Sequence, residues 1–251
     1  MLLSQIDPVT IALIAVAFLF AGISKGVVGF GLPLIAIPML ANVMPVPTAI
    51  ALTAVPIVAS NVFQALRGGH WRAALRRFRA LIAGAVIGTL AGAQILTRAD
   101  QGAISVVVGA LLVVFVAMHA LPLRPAVAPR AESWLNLPVG LLSGLLGGVA
   151  SMFGPPFLLY FVALRLPRDA FIGTIALIYL IGVVPLYGTL IGTGVIGPAE
   201  AVASALACIP LFIGIRLGGW LRDRVSQPAF QRLLLVALAI IGLNLIRRGF
   251  M

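Results

Sequence analysis

Hydrophobic residues run through this sequence in long blocks, with polar residues gathered between the blocks. Each block holds roughly 15 to 24 residues and lacks a strict apolar–polar alternation, which predicts membrane-spanning helices rather than barrel strands. The blocks fall at residues 8–24, 27–43, 46–66, 80–97, 102–121, 135–149, 152–166, 169–191, 198–217 and 229–246. We therefore predict an all-α polytopic membrane protein with about ten helical segments.

The spacing of glycine and proline predicts two similar halves. A G-x3-G-x2-G spacing occurs near the start of each half, at Gly22, Gly26 and Gly29 and at Gly140, Gly144 and Gly147. A glycine with a proline one or two residues later follows each triplet, at 31–33 and at 154–156. We therefore expect the first two segments of each half to be short or broken. We predict repeats at 1–122 and 134–251, joined by a cytoplasmic linker at 123–133. Because each half has five segments, the second begins on the opposite side, which is the inverted-repeat plan of many alternating-access transporters. Close helix packing is the other interpretation of the glycines.

Composition and charge favour a lipid environment. The chain is 62% hydrophobic and 9% charged, whereas soluble domains are about 25% charged. The net charge of +11 comes from arginines between apolar blocks, which indicates membrane topology and anionic headgroups rather than nucleic acid. The arginine-rich loop at 67–79 marks the cytoplasmic side of a bacterial inner membrane, which places the N-terminus on the periplasmic side. The oligomeric state stays open, with a homodimer among the alternatives.

The broken segments predict where a small anionic substrate binds. A helix that begins after a glycine–proline break offers N–H groups and the positive end of its dipole. Two such ends meeting near the middle of the membrane would hold an anion. The predicted substrate-binding residues are Lys25, Gly29, Gly31, Pro33, Asn61, Ser143, Gly147, Ser151, Phe153, Gly154, Pro155, Thr174 and Tyr179.

The charged residues sharpen this prediction. Lys25 is the only lysine and falls between two predicted segments, where a buried ammonium is costly enough to suggest a function. A side chain that extends to the lipid interface is the other interpretation. His70 and His119 lie near segment ends and are interpreted as interface residues. The six acidic residues fall at segment ends or in loops, so we expect no buried-acid proton coupling.

At these glycines the sequence resembles the sulfite exporter TauE/SafE family, also called the 4-toluene sulfonate uptake permease family. Its first-half pattern, G-x-G-G-G-x4-P-x-L, is matched at Gly29, Gly31, Pro38 and Leu40, while Leu32 and Pro33 replace two glycines. Its second-half pattern, a glycine followed by Gly-Pro-Pro, is matched at Gly147 and at 154–156. The resemblance covers essentially the whole chain. It implies transport, often export, of sulfite, sulfonates or similar small organic anions.

Other functions fit the sequence less well. An ion-coupled uptake permease and an anion channel for the same solutes remain alternatives. An intramembrane serine protease would need G-x-S-G, and the residues before Gly144 are Leu141, Leu142 and Ser143. A lipid synthase would need clustered aspartates. Because these motifs are missing, we expect no enzyme activity, and we expect no cofactor. We also expect no metal site, because one cysteine and two histidines form no Cys/His cluster.

Overall fold

The computed structural model describes residues 7–29, 31–67, 71–120, 127–222 and 224–251. Within these ranges the chain forms twelve helices and no strand. They are α1 (Pro8–Val28), α2 (Leu32–Leu40), α3 (Val46–Leu52), α4 (Ala54–Arg67), α5 (Trp71–Arg77), α6 (Arg79–Arg98), α7 (Gln101–Ala120), α8 (Pro129–Ala150), α9 (Gly154–Ala163), α10 (Arg168–Gly192), α11 (Pro198–Arg222) and α12 (Gln227–Gly249). The predicted all-α membrane architecture is confirmed.

The helices follow the predicted segments, with differences at their ends. α1 continues through Val28, so Lys25 lies in the last turn of a helix and the prediction that it falls between segments is wrong. α8 begins at Pro129, before the predicted start of its segment. α5 is an additional short helix in the arginine-rich loop. His70, Phe30, Asp223 and residues 123–126 of the predicted linker lie outside the described residues.

The second segment of each half is short, as predicted, whereas the first segments are helices of 21 residues in α1 and 22 residues in α8. Among the described residues, seven helices are long and apolar enough to span a membrane, or eight if α3 and α4 count as one bent span. α2 has 9 residues and α9 has 10, which correspond to about 14 and 15 Å of helix. Each is about half as long as the roughly 30 Å hydrocarbon core.

The bend between α3 and α4 has a clear cause. The two helices meet at 43° because Pro56 has no N–H and cannot donate to the carbonyl of Leu52 one turn earlier. Ser204 on α11 replaces that bond: its hydroxyl donates to the Leu52 carbonyl at 2.9 Å. The same hydroxyl oxygen accepts the Val55 N–H at 2.9 Å. One side chain thus satisfies both backbone groups that the bend exposes.

The chain folds into two compact units, and each unit draws on both sequence halves. Unit 1 contains Met1–Pro56, Ala99–Pro122 and Gly194–Met251, and unit 2 contains Ile57–Arg98 and Leu123–Thr193. In unit 1, α1 packs on α11 and α7 packs on α12; in unit 2, α6 packs on α8. The division into repeats at 1–122 and 134–251 stays a prediction.

Glycines line both of the closest helix pairs. On α1 and α11 the facing residues are Gly22, Gly26, Gly214 and Gly218; on α6 and α8 they are Gly84, Gly88, Gly92, Gly140, Gly144 and Gly148. A Cβ at Gly84, for example, would lie 2.6 Å from the Leu137 carbonyl oxygen. Close packing is therefore the correct interpretation of the first two glycines of each triplet. In both pairs the first segment of one half packs on the fourth segment of the other, as a repeat predicts, while inversion stays a prediction.

The contacts also give the helix directions. Gly22 faces Leu211 and Gly26 faces Ile215, so α1 and α11 run in the same direction. α6 and α8 are also parallel, because their facing residue numbers rise together. α7 and α12 are antiparallel, because Gly102 meets Gly249 while Gly109 meets Gly242. If all ten predicted segments cross the membrane in alternating directions, the first two helix pairs are parallel and the third is antiparallel, as observed. If α2 and α9 did not cross the membrane, α7 and α12 would instead be parallel.

Each short helix runs alongside a longer neighbouring helix and leads the chain back towards the other end of that neighbour. α2 begins beside the first turns of α12, and Asn42, just after α2, accepts a 2.6 Å hydrogen bond from Asn244 near the other end of α12. In unit 2, Val127 donates its N–H to the Ala163 carbonyl at 3.3 Å, which brings the end of α9 back to the start of α8. Both short helices therefore carry the chain across, which supports the predicted ten segments.

Candidate solute-binding site

The first break lies between α1 and α2 in unit 1. Gly29 ends α1 with φ of 94° and donates its N–H to the Lys25 carbonyl at 2.9 Å. Gly31 precedes α2 with φ of 109°, and no side chain caps this helix. Both φ values belong to the left-handed region, which explains why glycine occupies both positions. The first turn of α2 contains Leu32 and Pro33, and its N–H groups have no side-chain acceptor at the cap.

A small cavity adjoins this break. Its volume is about 20 Å³, and Ser24, Gly31, Phe115, His119 and Gln231 contribute to its lining. That volume suffices for about one water-sized group. Ser24 is 2% exposed, and its hydroxyl has no hydrogen-bond partner among the described residues. A Cβ at Gly31 would lie 3.3 Å from the Ser24 oxygen, so the hydroxyl points at the beginning of α2.

His119 lines the cavity, although the sequence placed it at the membrane interface. Its Nδ1 lies 3.0 Å from the Phe115 carbonyl oxygen. Because a carbonyl only accepts, Nδ1 carries the proton and Nε2 is the nitrogen left for a ligand. Phe115 and His119 lie in the last two turns of α7. The first break therefore lies beside the last two turns of α7, while its position near the middle of the membrane stays a prediction.

Lys25 lies within the protein, one turn before the break. It is 7% exposed, and its position in the last turn of α1 places its charge at the favourable end of the helix dipole. The neighbouring Gly26 packs against α11, with a Cβ position 2.8 Å from the Gly219 nitrogen. The packing of α1 on α11 thus fixes the position of Lys25 along the axis of α1. Its role as a substrate-binding residue stays a prediction.

The second break lies between α8 and α9 in unit 2. Ser151 ends α8 with φ of 56° and donates its N–H to the Gly147 carbonyl at 2.7 Å. A left-handed conformation is strained for a residue other than glycine or asparagine. The side chains of Ser143 and Ser151 are fully buried, and neither hydroxyl has a hydrogen-bond partner among the described residues. Gly154 and Pro155 then begin α9.

Phe153 fills the space beside this break. Its ring occupies the positions that side chains at Gly147 and Gly182 would need, and it meets Tyr179 edge to face at a centroid distance of 5.1 Å. The ring therefore brings together three predicted site residues, which are Gly147, Phe153 and Tyr179. Four more lie in the same unit along α8, at its end or at the start of α9: Ser143, Ser151, Gly154 and Pro155. Asn61 on α4 and Thr174 on α10 are buried, and their role stays a prediction.

Sequence reasoning missed four of these residues. Ser24 was overlooked beside the more conspicuous lysine, and Gly182 belongs to neither glycine triplet. His119 and Gln231 have no sequence signal, because the chain separates them from the first break by more than three helices. Its position next to Lys25 and the predicted break is the one sequence signal for Ser24.

The described acidic side chains stay at helix ends. Asp7 and Asp100 accept N–H groups in the first turns of α1 and α7, and hydrogen bonding with Thr10 lowers the pKa of Asp7. Glu132, at the start of α8, accepts two hydrogen bonds from Arg77 at 2.6 and 2.9 Å. This pair raises the pKa of the Arg77 guanidinium. No cluster of potential metal ligands occurs in the part of the chain that the structure describes.

The family model for the sulfite exporter TauE/SafE matches residues 14–245, which include both breaks. The chain belongs to this family. Searches of curated proteins and of solved structures found no match. As a TauE/SafE member the protein belongs to a family of sulfite exporters, which fits the several membrane-spanning helices and a transport role. A transporter family is also consistent with the expectation that the protein is not an enzyme.

Proposed function

We propose that this TauE/SafE protein is a secondary transporter that exports a small sulfur-containing or organic anion, such as sulfite or a sulfonate, by alternating access. One observation supports this most directly: three buried serine hydroxyls that have no hydrogen-bond partner among the described residues lie at the helix breaks or within about two helical turns of them, at Ser24, Ser143 and Ser151. Other helical hydroxyls donate to a carbonyl one turn earlier, as Thr89 does to Ala85 at 2.7 Å. An unsatisfied buried hydroxyl costs about 1–3 kcal/mol, so a ligand that accepts hydrogen bonds from these groups would recover that free energy.

The hydroxyls matter most where proline removes backbone donors. Pro33 removes one N–H from the first turn of α2, and Pro155 and Pro156 remove two from the first turn of α9. The second break therefore offers few amide donors to an anion. Hydroxyls at Ser143 and Ser151 supply the missing donors in this proposal, and Lys25 supplies positive charge near the first break.

Export of an anion needs no coupled proton. The described carboxylates lie at helix ends, and an anion leaving a negative-inside cell gains about 2.3 kcal/mol per charge per 100 mV. That energy supports roughly a 50-fold gradient. Electrogenic export across the bacterial inner membrane, with the N-terminus in the periplasm, is therefore sufficient. The two similar halves would provide the inward-open and outward-open states.

Transport in proteoliposomes tests the proposal. Purified protein is reconstituted, and efflux of sulfite, sulfoacetate, taurine and lactate is measured with and without an imposed potential. We expect saturable, voltage-dependent transport of at least one sulfur-containing anion. It should fall in Lys25→Ala and Ser143→Ala, and persist in Ser105→Ala, whose hydroxyl is exposed and bonded to Gln101 at 2.9 Å.

Three results would contradict the proposal. Equal transport by Lys25→Ala and the unaltered protein would remove Lys25 from the site. A requirement for sodium or protons in the uptake direction would indicate an uptake permease. Discrete single-channel currents without saturation would indicate a channel.

A further inference from the structure

The ring of Phe153 occupies a slot in unit 2 that two glycines keep empty of other side chains. A Cβ at Gly182 on α10 would lie 2.8 Å from Cε1 of the ring and 3.2 Å from Cζ. A Cβ at Gly147 on α8 would overlap the same edge of the ring. We call the space between Gly147 and Gly182 the Phe153 slot. Phe153 itself is fully buried.

Polar groups flank the slot although aromatic contacts fill it. Ser143 lies one helical turn before Gly147 on α8, and Ser151 lies one turn after it, so the three residues follow one side of the helix. Both hydroxyls are buried, and neither has a hydrogen-bond partner in the described part of the chain. The ring is apolar and cannot satisfy them, so the structure keeps two hydrogen-bonding groups beside a space that a hydrophobic ring fills.

The position of Phe153 in the chain makes it suited to move. It precedes α9 at the second break, where neither a side-chain cap nor a regular helix holds the backbone. The preceding Ser151 has a strained left-handed conformation. Contacts with Tyr179 at 5.1 Å and Phe157 at 6.4 Å hold the ring in place, in addition to the burial of the ring itself.

We propose that Phe153 is a displaceable plug, and that its departure from the Phe153 slot exposes the Ser143 and Ser151 hydroxyls to the oxygen atoms of a small anion. The inference rests on the proposed transport function. The structure then represents a closed state of unit 2, in which the ring excludes the solute. Gly147 and Gly182 are required because any side chain there would push the ring out of the slot.

Cysteine accessibility tests the plug without requiring transport. The chain has one native cysteine, Cys208, so a Cys208→Ala background with Ser143→Cys gives a single thiol beside the slot. Its rate of reaction with a small charged methanethiosulfonate reagent is measured on the purified full-length protein. Phe153→Ala should raise this rate at least about tenfold, which corresponds to 1.4 kcal/mol in the opening equilibrium. Phe153→Leu provides a milder variant that retains an apolar side chain.

Two glycine variants give a matched comparison on one helix. Gly182→Ala places a methyl group against the ring and should also raise the reaction rate. Gly188→Ala, on the same helix, has no described atom within 4 Å of its Cβ position and should leave the rate unchanged. Equal rates in the Phe153, Phe153→Ala, Phe153→Leu and Gly182→Ala backgrounds would overturn the plug.

Protection by an anion tests the hydroxyls. Methanesulfonate, which does not react with the reagent, should slow modification in the Phe153→Ala background, whereas an equal concentration of chloride should slow it less. Ser151 supplies the remaining hydroxyl in the Ser143→Cys protein, so faster modification without such protection would overturn the assignment of Ser151 to an anion. Because reaction rates are read without transport, failure of the plug is distinguishable from failure of the proposed export.

Discussion

Replacing Gly218 with alanine should destabilise the protein, whereas the same change at its neighbour Gly219 should not. A Cβ at Gly218 would lie 2.9 Å from the carbonyl carbon of Ile23 and 3.0 Å from Cα of Gly26, both on α1. The Cβ position of Gly219 has no described atom within 4 Å. The two residues share one helix and one depth, so they form a matched pair.

The size of the effect follows from these distances. Carbon atoms in contact prefer separations of about 3.5 Å or more, so the 2.9 Å contact alone forces α1 and α11 apart by about 0.6 Å, and the Ile23 carbonyl oxygen, which lies nearer still to that Cβ position, requires a larger shift. A gap of that size removes roughly a quarter to a half of each affected contact energy, and overpacking typically costs about 1–3 kcal/mol. Alanine gains up to about 1 kcal/mol of helix propensity at both positions. The difference between the variants, about 1–3 kcal/mol, therefore isolates the packing of α1 on α11.

Two measurements check this prediction. The free energy of unfolding of purified protein in mixed micelles should fall for Gly218→Ala and stay the same or rise for Gly219→Ala. Anion transport should also fall for Gly218→Ala, because α1 carries Ser24 and Lys25 towards the first break. Equal stability and equal transport in the two variants would refute both the glycine contact and the role of α1 in placing the site.

Further predictions concern hydrogen bonds and charge. Ser204→Ala should lower the free energy of unfolding by about 1–3 kcal/mol, because the Leu52 carbonyl and the Val55 N–H lose their partner. An unchanged melting temperature would contradict this role of Ser204. Ser24→Ala should preserve or raise the melting temperature while transport falls, since it removes an unsatisfied hydroxyl. A double-mutant cycle between Arg77 and Glu132 should give a coupling of about 0.2–1 kcal/mol that weakens with salt, because Arg77 is 47% exposed; a salt-independent coupling would argue against it.

The fold was predictable because its main signal is local. A block of apolar residues long enough to cross the hydrocarbon core predicts a helix without knowledge of its neighbours. The ends of the helices were less predictable: α1 includes Lys25 because its packing against α11 continues to Gly26, one residue beyond the lysine. The bend at Pro56 could be anticipated from proline, but its satisfaction by Ser204 joins residues far apart in the chain.

The candidate site was predictable only in part, because one residue type serves different purposes. Gly22 and Gly144 belong to the same triplet pattern as Gly29 and Gly147, yet Gly22 and Gly144 each contact a facing helix. Gly29 instead reverses the chain, and the side of Gly147 is covered by the ring of Phe153. Glycine spacing alone does not distinguish these environments.

The sequence by itself determined that this chain lies in a membrane, that it has about ten helical segments, and that both halves contain a break. It did so through apolar length, basic loops and proline, whose effects act within a few residues. Only the tertiary structure decided which hydroxyls lack partners, that Ser24 adjoins His119 and Gln231, and that Phe153 fills the space beside Gly182. These relations depend on which helices pack together, since hydrogen-bond satisfaction and steric exclusion are properties of neighbours in space and not of neighbours in sequence.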